Sequence, residues 1–386
     1  MDSFKGTPVG INGVALLSPL TGIGQYTLHL VRELQQLLPM QPWLFYGSGW
    51  NRELRNAPLP GVDGIKKLIK RAVPNPYMVA RFLQQRQFSR GVKQQGIRLY
   101  HEPNFLAYRF GGPTVVTVHD LSWIRHPETH PAERVRVMDK LMPRVVETAA
   151  EIIVDSEFVR QEVIGHYGVA PERVTTVLLG VAPAFRPQPE SACRTVLAAQ
   201  GLRYGEYLLA VGTLEPRKNL ATVIAAFSRL PQAMRKRTPL VIVGMNGWGM
   251  DRFPDSLRRL IEQGEVKLTG YVPQQDLPLL YAGARLFVYP SIYEGFGLPP
   301  LEAMACGVPV IVSRRASLPE VVGEAGILVE AMDEAGIAGH MQALVEDAAL
   351  HARLAAAGLE QARRFTWRQC ALETLAVYRK AMTRVG

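Results

Sequence analysis

Residues 286–313 read LFVYPSIYEGFGLPPLEAMACGVPVIVS. The apolar run Leu286–Tyr289 has the β-branched and aromatic character of a buried strand. It opens into a loop bearing Glu294 and the Gly295-Phe296-Gly297 turn, after which Pro299-Pro300 start a helix with Glu302 in its first turn. Val308–Val312 is the next strand. Strand, loop, helix and strand in close succession form the unit of a parallel α/β sheet.

The same unit recurs along the whole chain. In the first half, strands are predicted at Pro8–Leu16, Pro42–Tyr46, Arg98–His101, Thr114–Val118, Glu151–Asp155 and Val174–Leu178. In the second they are predicted at Tyr207–Val211, Leu240–Gly244, Val266–Leu268, Leu286–Tyr289, Val308–Val312 and Gly326–Val329. Between the two sets the proline-rich GVAPAFRPQPE, Gly180–Glu190, reads as an inter-domain linker. The fold class is therefore α/β, with two Rossmann-like, doubly wound domains facing a central cleft. Ligands of open α/β sheets bind outside the carboxyl ends of the strands, so the site is expected on loops that follow strands.

Composition narrows the function. A chain of 386 residues, 47% hydrophobic and 20% charged, is an ordinary folded protein of two or three domains. No uninterrupted apolar stretch approaches the ~20 residues of a membrane span, and MDSFKGTPVG lacks the layout of a signal peptide, which predicts a cytoplasmic protein. Cys193, Cys306 and Cys370 are far apart and form no CxxC pair, so neither a disulfide framework nor a zinc site is indicated. The net charge is +10, and residues 1–101 alone carry +9. Lys66, Lys67, Lys70, Arg71, Arg81, Arg86, Arg90, Lys93 and Arg98 follow one another without an intervening acid. Such a segment implies an anionic partner, either nucleic acid or an anionic membrane surface, unless it is simply a solvated helix face.

Four loops carry chemistry. Free N–H groups at Phe296, Gly297 and Leu298, just before a helix, form an anion cradle beside the Glu294 carboxylate, which can accept hydrogen bonds from sugar hydroxyls. In VGTLEPRKNL, Val211–Leu220, a strand runs through Gly212 into Arg217 and Lys218, two cations suited to a diphosphate, with Asn219 as the expected N-cap of the next helix. TGIGQYT places Gly22 and Gly24 ahead of a helix, without the third glycine of a dinucleotide site. VVTVHDLSW sets His119 and Asp120 directly after a strand, and His119 is expected to face the cleft.

Together with LTGYVP at Leu268–Pro273 and SLPEVVGEAGILV at Ser317–Val329, these loops resemble those of retaining GT-B glycosyltransferases of family 4. The resemblance implies an acceptor-binding domain over residues 1–185, a nucleotide-sugar-binding domain over 186–366 and a C-terminal helix, 367–386, crossing back to the first domain. It implies that Arg217 and Lys218 hold the donor diphosphate, Glu302 the ribose diol, and Glu294 with the Phe296, Gly297 and Leu298 amides the transferred sugar. It further implies that Tyr271 and Val272 line the base pocket with Gly212 nearby. His119 would touch the sugar from across the cleft, and Gly22 and Gly24 would let their loop close over the phosphates. Arg217, Lys218, Glu294 and His119 are thus the expected catalytic group. No Asp-x-Asp pair occurs, which suits a metal-independent enzyme with no cofactor.

VIVGMNGWGMD at Val241–Asp251 resembles members that transfer mannose or rhamnose in bacterial surface polysaccharide synthesis. The resemblance therefore implies GDP-mannose, or GDP-rhamnose, as donor and a lipid-linked saccharide of O-antigen or lipopolysaccharide as acceptor; a UDP- or dTDP-sugar is the alternative. The basic segment interleaves its cations with Leu68, Ile69, Val79, Phe82, Leu83 and Phe88, the pattern of an amphipathic helix on an anionic leaflet. A peripheral protein is expected, meeting its acceptor at the inner face of the cytoplasmic membrane through residues 66–98. A basic nucleic-acid-binding protein is the rival reading. It is disfavoured because Tyr77, Phe82 and Phe88 form no stacking pattern and no recognised nucleic-acid motif appears.

Overall fold

Two parallel sheets carry the chain, and the order of their strands fixes where a ligand can sit. The computed structural model describes residues 6–18, 22–55, 76–244 and 256–384. The first sheet contains β1 (Val9–Asn12), β2 (Trp43–Phe45), β3 (Trp50–Asn51), β4 (Leu99–Glu102), β5 (Thr114–Val118), β6 (Glu151–Val154) and β7 (Val174–Thr176). Their spatial order is β3-β2-β1-β4-β5-β6-β7. The second sheet contains β8 (Leu208–Val211), β9 (Leu240–Val243), β10 (Val266–Gly270), β11 (Leu286–Tyr289), β12 (Val310–Ser313) and β13 (Ile327–Val329), in the order β10-β9-β8-β11-β12-β13. In each sheet the chain builds outward on one side of its first strand and then crosses to the other. The crossings leave switch points between β1 and β4 and between β8 and β11.

The strands are continuous apolar runs because helices cover both of their faces; β6, β9, β11 and β12 are buried at every residue. Three details depart from the sequence reading. The first strand stops at Asn12, and Val14–Leu17 turn into a 3-10 helix. The strand expected to reach Leu178 ends at Thr176. A two-residue edge strand, β3, pairs antiparallel with β2 (Leu44 with Asn51, Phe45 with Trp50) and is too short to leave a periodic signal.

The basic segment also differs. Residues 56–75, with Lys66, Lys67, Lys70 and Arg71, lie outside the described residues, whereas Pro76–Gln95 is a helix. Phe88, expected on a membrane-facing stripe, is fully buried among Phe45, Tyr100 and Tyr108. Arg81 is likewise not free: it donates to the Leu106 and Ala107 carbonyls at 3.0 and 2.6 Å. Phe82 and Leu83 do remain exposed, at 58% and 56%, with the Arg86 guanidinium 4.8 Å from the Phe82 ring.

The last helix, Trp367–Arg384, packs against the first half of the chain. The Tyr378 hydroxyl is 2.7 Å from His101 Nδ1, and Lys380 and Arg384 pair with the buried Glu151. Trp367 stacks on His29 at 5.1 Å. Where the linker meets this helix, a Cβ on Gly180 would lie 2.1 Å from the Trp367 amide nitrogen and 2.5 Å from the Thr366 carbonyl carbon, both backbone atoms that cannot swing aside. Gly180→Ala should therefore cost about 1–3 kcal/mol of stability, seen as a lower midpoint in chemical denaturation. In Gly165→Ala the new methyl enters open space on a helix, so the midpoint should stay or rise by up to ~1 kcal/mol.

Candidate active site

The carboxyl ends of both sheets face one another across a cleft of about 510 Å³. Its second-half wall is built from the loops after β8 and β11, which flank the switch point. After β8, Pro216–Lys218 form a single 3-10 turn. Asn219 then adopts the left-handed conformation, φ 56°, with its amide donating to the Pro290 and Ala331 carbonyls at 3.0 and 2.7 Å. Its side chain therefore makes no capping bond to the following helix. It braces the Arg217-Lys218 turn against the loop after β11 instead.

These two loops meet at a buried carboxylate. Glu294 Oε1 accepts from Lys218 Nζ at 2.8 Å and from the Tyr289 hydroxyl at 2.8 Å, and lies 2.6 Å from the Ser291 hydroxyl. Glu294 Oε2 is 3.3 Å from Arg217 Nη1, which also donates to the Tyr293 carbonyl at 2.7 Å. Arg217 Nη2 donates to Glu215 at 2.7 Å. Burial opposes the negative charge of Glu294, but Lys218 and Arg217 more than offset it and hold the carboxyl at about 2. Burial also opposes the Arg217 charge, and Glu294, Asp120 and Glu215 outweigh it, so the guanidinium is raised further.

Beside this cluster the segment Gly295–Leu298 lines the cleft. The Ser317 hydroxyl lies 2.9 Å from the Glu294 carbonyl and 2.6 Å from that of Phe296, and Ser156 donates to the Gly295 carbonyl at 2.7 Å. The amides of Phe296, Gly297 and Leu298 have no protein acceptor among the described residues. Pro299 and Pro300 follow and bring no N–H, so Leu298 alone supplies a donor in the first three positions of the Leu298–Ala305 helix. Glu302 is the fifth residue of that helix, in its second turn and not its first. It lines the same cleft, where burial pushes its carboxyl up to about 8, partly offset by the Tyr281 hydroxyl. Gly212, Val272 and Tyr271, the last 61% exposed, complete this wall. Of the VIVGMNGWGMD run, residues 245–251 lie outside the described residues.

On the opposite wall the structure corrects two expectations. Gly22 and Gly24 do not form a loop but lie in the first turn of the helix Gly22–Leu37; Gly22 lines the cleft and Gly24 is buried behind it. His119 also lines the cleft, yet both of its ring nitrogens are engaged: Nδ1 with Asp155 at 2.7 Å and Nε2 with the Pro103 carbonyl at 2.8 Å. Both ring nitrogens are thus taken by protein partners, which leaves none for a sugar. Burial opposes a charge on the ring, but Asp155 outweighs it and raises the group. His119 instead meets the second half through its backbone: a Cβ on Gly295 would lie 1.9 Å from the His119 carbonyl oxygen.

Several groups at the site escaped the sequence reading. Glu215 stands two residues before Arg217, a charge pairing visible in the sequence. Tyr289 is hidden in a strand that reads as plain core. Ser122 and His130 join Asp120, which the sequence had placed after its strand: Ser122 donates to Asp120 at 2.8 Å and receives from His130 Nε2 at 2.9 Å, leaving His130 Nδ1 without a partner among the described residues. Across the cleft, Glu320 accepts from the amides of Glu157 and Phe158 at 2.8 and 2.7 Å, and Tyr293 accepts from the Leu121 amide at 3.0 Å.

Comparison with known proteins agrees with this geometry. Residues 20–185 match the family model Glycosyltransferase Family 4, and residues 202–361 match that of Glycosyl transferases group 1. The chain is 36% identical over 367 residues to the O-antigen chain mannosyltransferase B of Escherichia coli, covering 94% of this chain and 96% of that one. The chain belongs to glycosyltransferase family 4. Its structure superimposes on WaaG, a glycosyltransferase involved in lipopolysaccharide biosynthesis, with a TM-score of 0.73 at 16% identity over 96% of this chain and 99% of that chain. It superimposes on sucrose-phosphate synthase from Thermosynechococcus elongatus with a TM-score of 0.71 at 22% identity, covering 98% and 100%. The fold is thus GT-B and the protein is a glycosyltransferase.

In this glycosyltransferase Glu302 gives a pH signature. Its carboxyl rises from an ordinary 4.5 to about 8 on folding, so the folded state keeps a proton that the unfolded chain releases. Stability is fully present below pH ~4.5 and is lost as pH rises toward 8. Glu302→Gln, neutral throughout, should match the wild type near pH 4.5 and exceed it in Tm by a margin that widens up to pH ~8.

Proposed function

We propose that the protein is a retaining mannosyltransferase that moves mannose from GDP-mannose to a lipid-linked saccharide in bacterial O-antigen synthesis. The full-length likeness to O-antigen chain mannosyltransferase B supports the sugar and the pathway. The observation that carries the chemistry is the Arg217–Lys218–Glu294 cluster beside three unclaimed amides at the switch point. A nucleoside diphosphate entering there replaces Glu294 as the partner of Lys218 and Arg217. The freed carboxylate then accepts from hydroxyls of the transferred sugar, while the Phe296, Gly297 and Leu298 amides hold it in place. Glu302 takes the ribose diol, and Tyr271 and Val272 line the base.

The bond from the anomeric carbon to the β-phosphate oxygen breaks as the acceptor hydroxyl attacks from the same face, and its proton passes to that phosphate oxygen. Arg217, Lys218 and the amides stabilise the departing charge without a metal, a role worth roughly 2.7–4 kcal/mol per donor group. His119, its nitrogens already engaged, makes no direct bond to the sugar through them. GDP-rhamnose fits the same machinery and is the second donor to test.

GDP at 100 times its dissociation constant should stabilise the folded protein by roughly 2.7 kcal/mol, read as a rise in Tm, whereas UDP, dTDP and ADP should shift it little. Lys218→Met should lose most of the GDP shift and lower kcat/KM by ~10²–10³. Equal shifts by GDP and UDP would overturn the donor; wild-type kcat/KM in the variant would overturn the diphosphate site.

We also propose that the protein works as a peripheral protein on the cytoplasmic face of the membrane. Among the described residues no helix is long and apolar enough to cross a membrane, and the support is the basic segment 66–98 with Phe82 and Leu83 exposed on its helix. Flotation with liposomes should rise with anionic lipid and fall with salt, and reversal of Lys66, Lys67, Lys70 and Arg71 to Glu should abolish it while sparing transfer to a soluble acceptor. Equal recovery on neutral vesicles would reject this reading.

A further inference from the structure

A second cavity, of about 630 Å³, lies at the opposite edge of the first sheet from the active-site cleft. Its walls include Arg98 and Gly112, where the chain approaches the amino ends of β4 and β5, so the length of the strands separates it from the cleft. The apolar part of its lining includes Phe88, Val92, Ile97, Phe110 and Met382, the last from the C-terminal helix. Phe88 is fully buried, and the Phe110 ring stands edge-on to it at 6.5 Å.

Three cations line the same cavity: Lys93, Arg98 and Arg109. All three are exposed, no acidic residue shares the lining, and none of their side chains has an ion-pair or hydrogen-bond partner among the described residues. Some cations elsewhere on the domain are tied down: Arg81 and Arg173 bond backbone carbonyls, and Lys380 and Arg384 neutralise Glu151. Three uncompensated cations around an apolar lining repel one another, and an anion that carries its own apolar part relieves the repulsion while covering the rings. Guanidinium forks match phosphate oxygens, and an ammonium adds a point charge.

We propose that this cavity binds a phosphate group carried on an apolar chain, with Lys93, Arg98 and Arg109 on the phosphate and Phe88, Phe110 and Met382 against the first methylenes. The site deepens the peripheral-membrane reading by giving the surface a single-lipid pocket, and it is testable without a membrane. The full chain is titrated calorimetrically with dihexanoyl phosphatidic acid below its micelle concentration, and in parallel with dihexanoyl phosphatidylcholine and with inorganic phosphate. Saturable one-to-one binding of the phosphatidic acid is expected, at least tenfold tighter than either control. Arg98→Glu and Arg109→Glu should each weaken it about tenfold or more, since each loses charge-assisted hydrogen bonds. Ser89→Trp, which fills the cavity and leaves every cation in place, should abolish it, and transfer to a soluble acceptor should be unchanged in all three variants.

Equal affinity for inorganic phosphate would mean an anion patch only, and equal affinity for phosphatidylcholine an apolar groove only; either overturns the proposal. Binding that survives both charge reversals, or that a short single-stranded RNA displaces at equal phosphate concentration, overturns it too. Phosphatidic acid bound in solution without recruitment to anionic vesicles would reject the membrane reading and leave the cavity assignment standing. Recruitment to vesicles without binding in solution would reject the cavity alone.

Discussion

A single buried carboxylate organises the active site. Glu294 accepts from Lys218, Tyr289 and Ser291 and pairs with Arg217, and these partners come from the ends of two strands that are neighbours in the sheet although 75 or so residues of chain separate them. An unpaired ion in that position would be costly, and removing one member of such a set leaves a desolvated charge behind. The loops after β8 and β11 are therefore locked to each other before any ligand arrives. Under the proposed function a diphosphate exchanges for this carboxylate, so stability and readiness for the donor would come from one set of contacts.

The second constraint is the approach of the two halves. Gly295 comes so near the His119 carbonyl that a side chain cannot fit, and Ser156, Tyr293 and Glu320 hydrogen-bond across the cleft around that contact. Glu320 caps, from one domain, the amino end of a helix in the other, placing a negative charge where the helix dipole favours it. Ser156 and Ser317 together bind the Gly295 and Phe296 carbonyls beside the amides of Phe296, Gly297 and Leu298. A residue of the first half thus helps hold the loop that carries these amides, and the C-terminal helix, packed on that half, ties the chain's end to the same half.

The number and places of the main strands were legible in the sequence because buried parallel strands are short, continuous and β-branched, and loops between them carry glycine and proline. The placement of Arg217, Lys218 and Glu294 in the cleft was legible for the same reason: each stands in a loop that follows a strand, where an open α/β sheet places its ligands, and Glu302 lies in the helix that the second of these loops opens into. The edge strand Trp50–Asn51 was not, because two residues have no period. The sequence also could not say that Phe88 belongs to an aromatic core and Phe82 to the surface, since both sit on one basic helix and only the packing of Phe45, Tyr100 and Tyr108 distinguishes them.

What the sequence determined by itself was therefore the doubly wound architecture, the second-half loops and the chemical types of the groups on them, because local periodicity and turn chemistry depend on neighbours in the chain. What the tertiary structure alone decided was partnership. Asn219 braces a distant loop instead of capping its helix, His119 spends both nitrogens inside its own domain, and Gly22 and Gly24 are helix and not loop. Hydrogen-bond partners and burial are set by groups brought together from far along the chain, and burial in turn sets the opposite charge states of two glutamates eight residues apart: Glu294 held ionised by cations, Glu302 held neutral by desolvation.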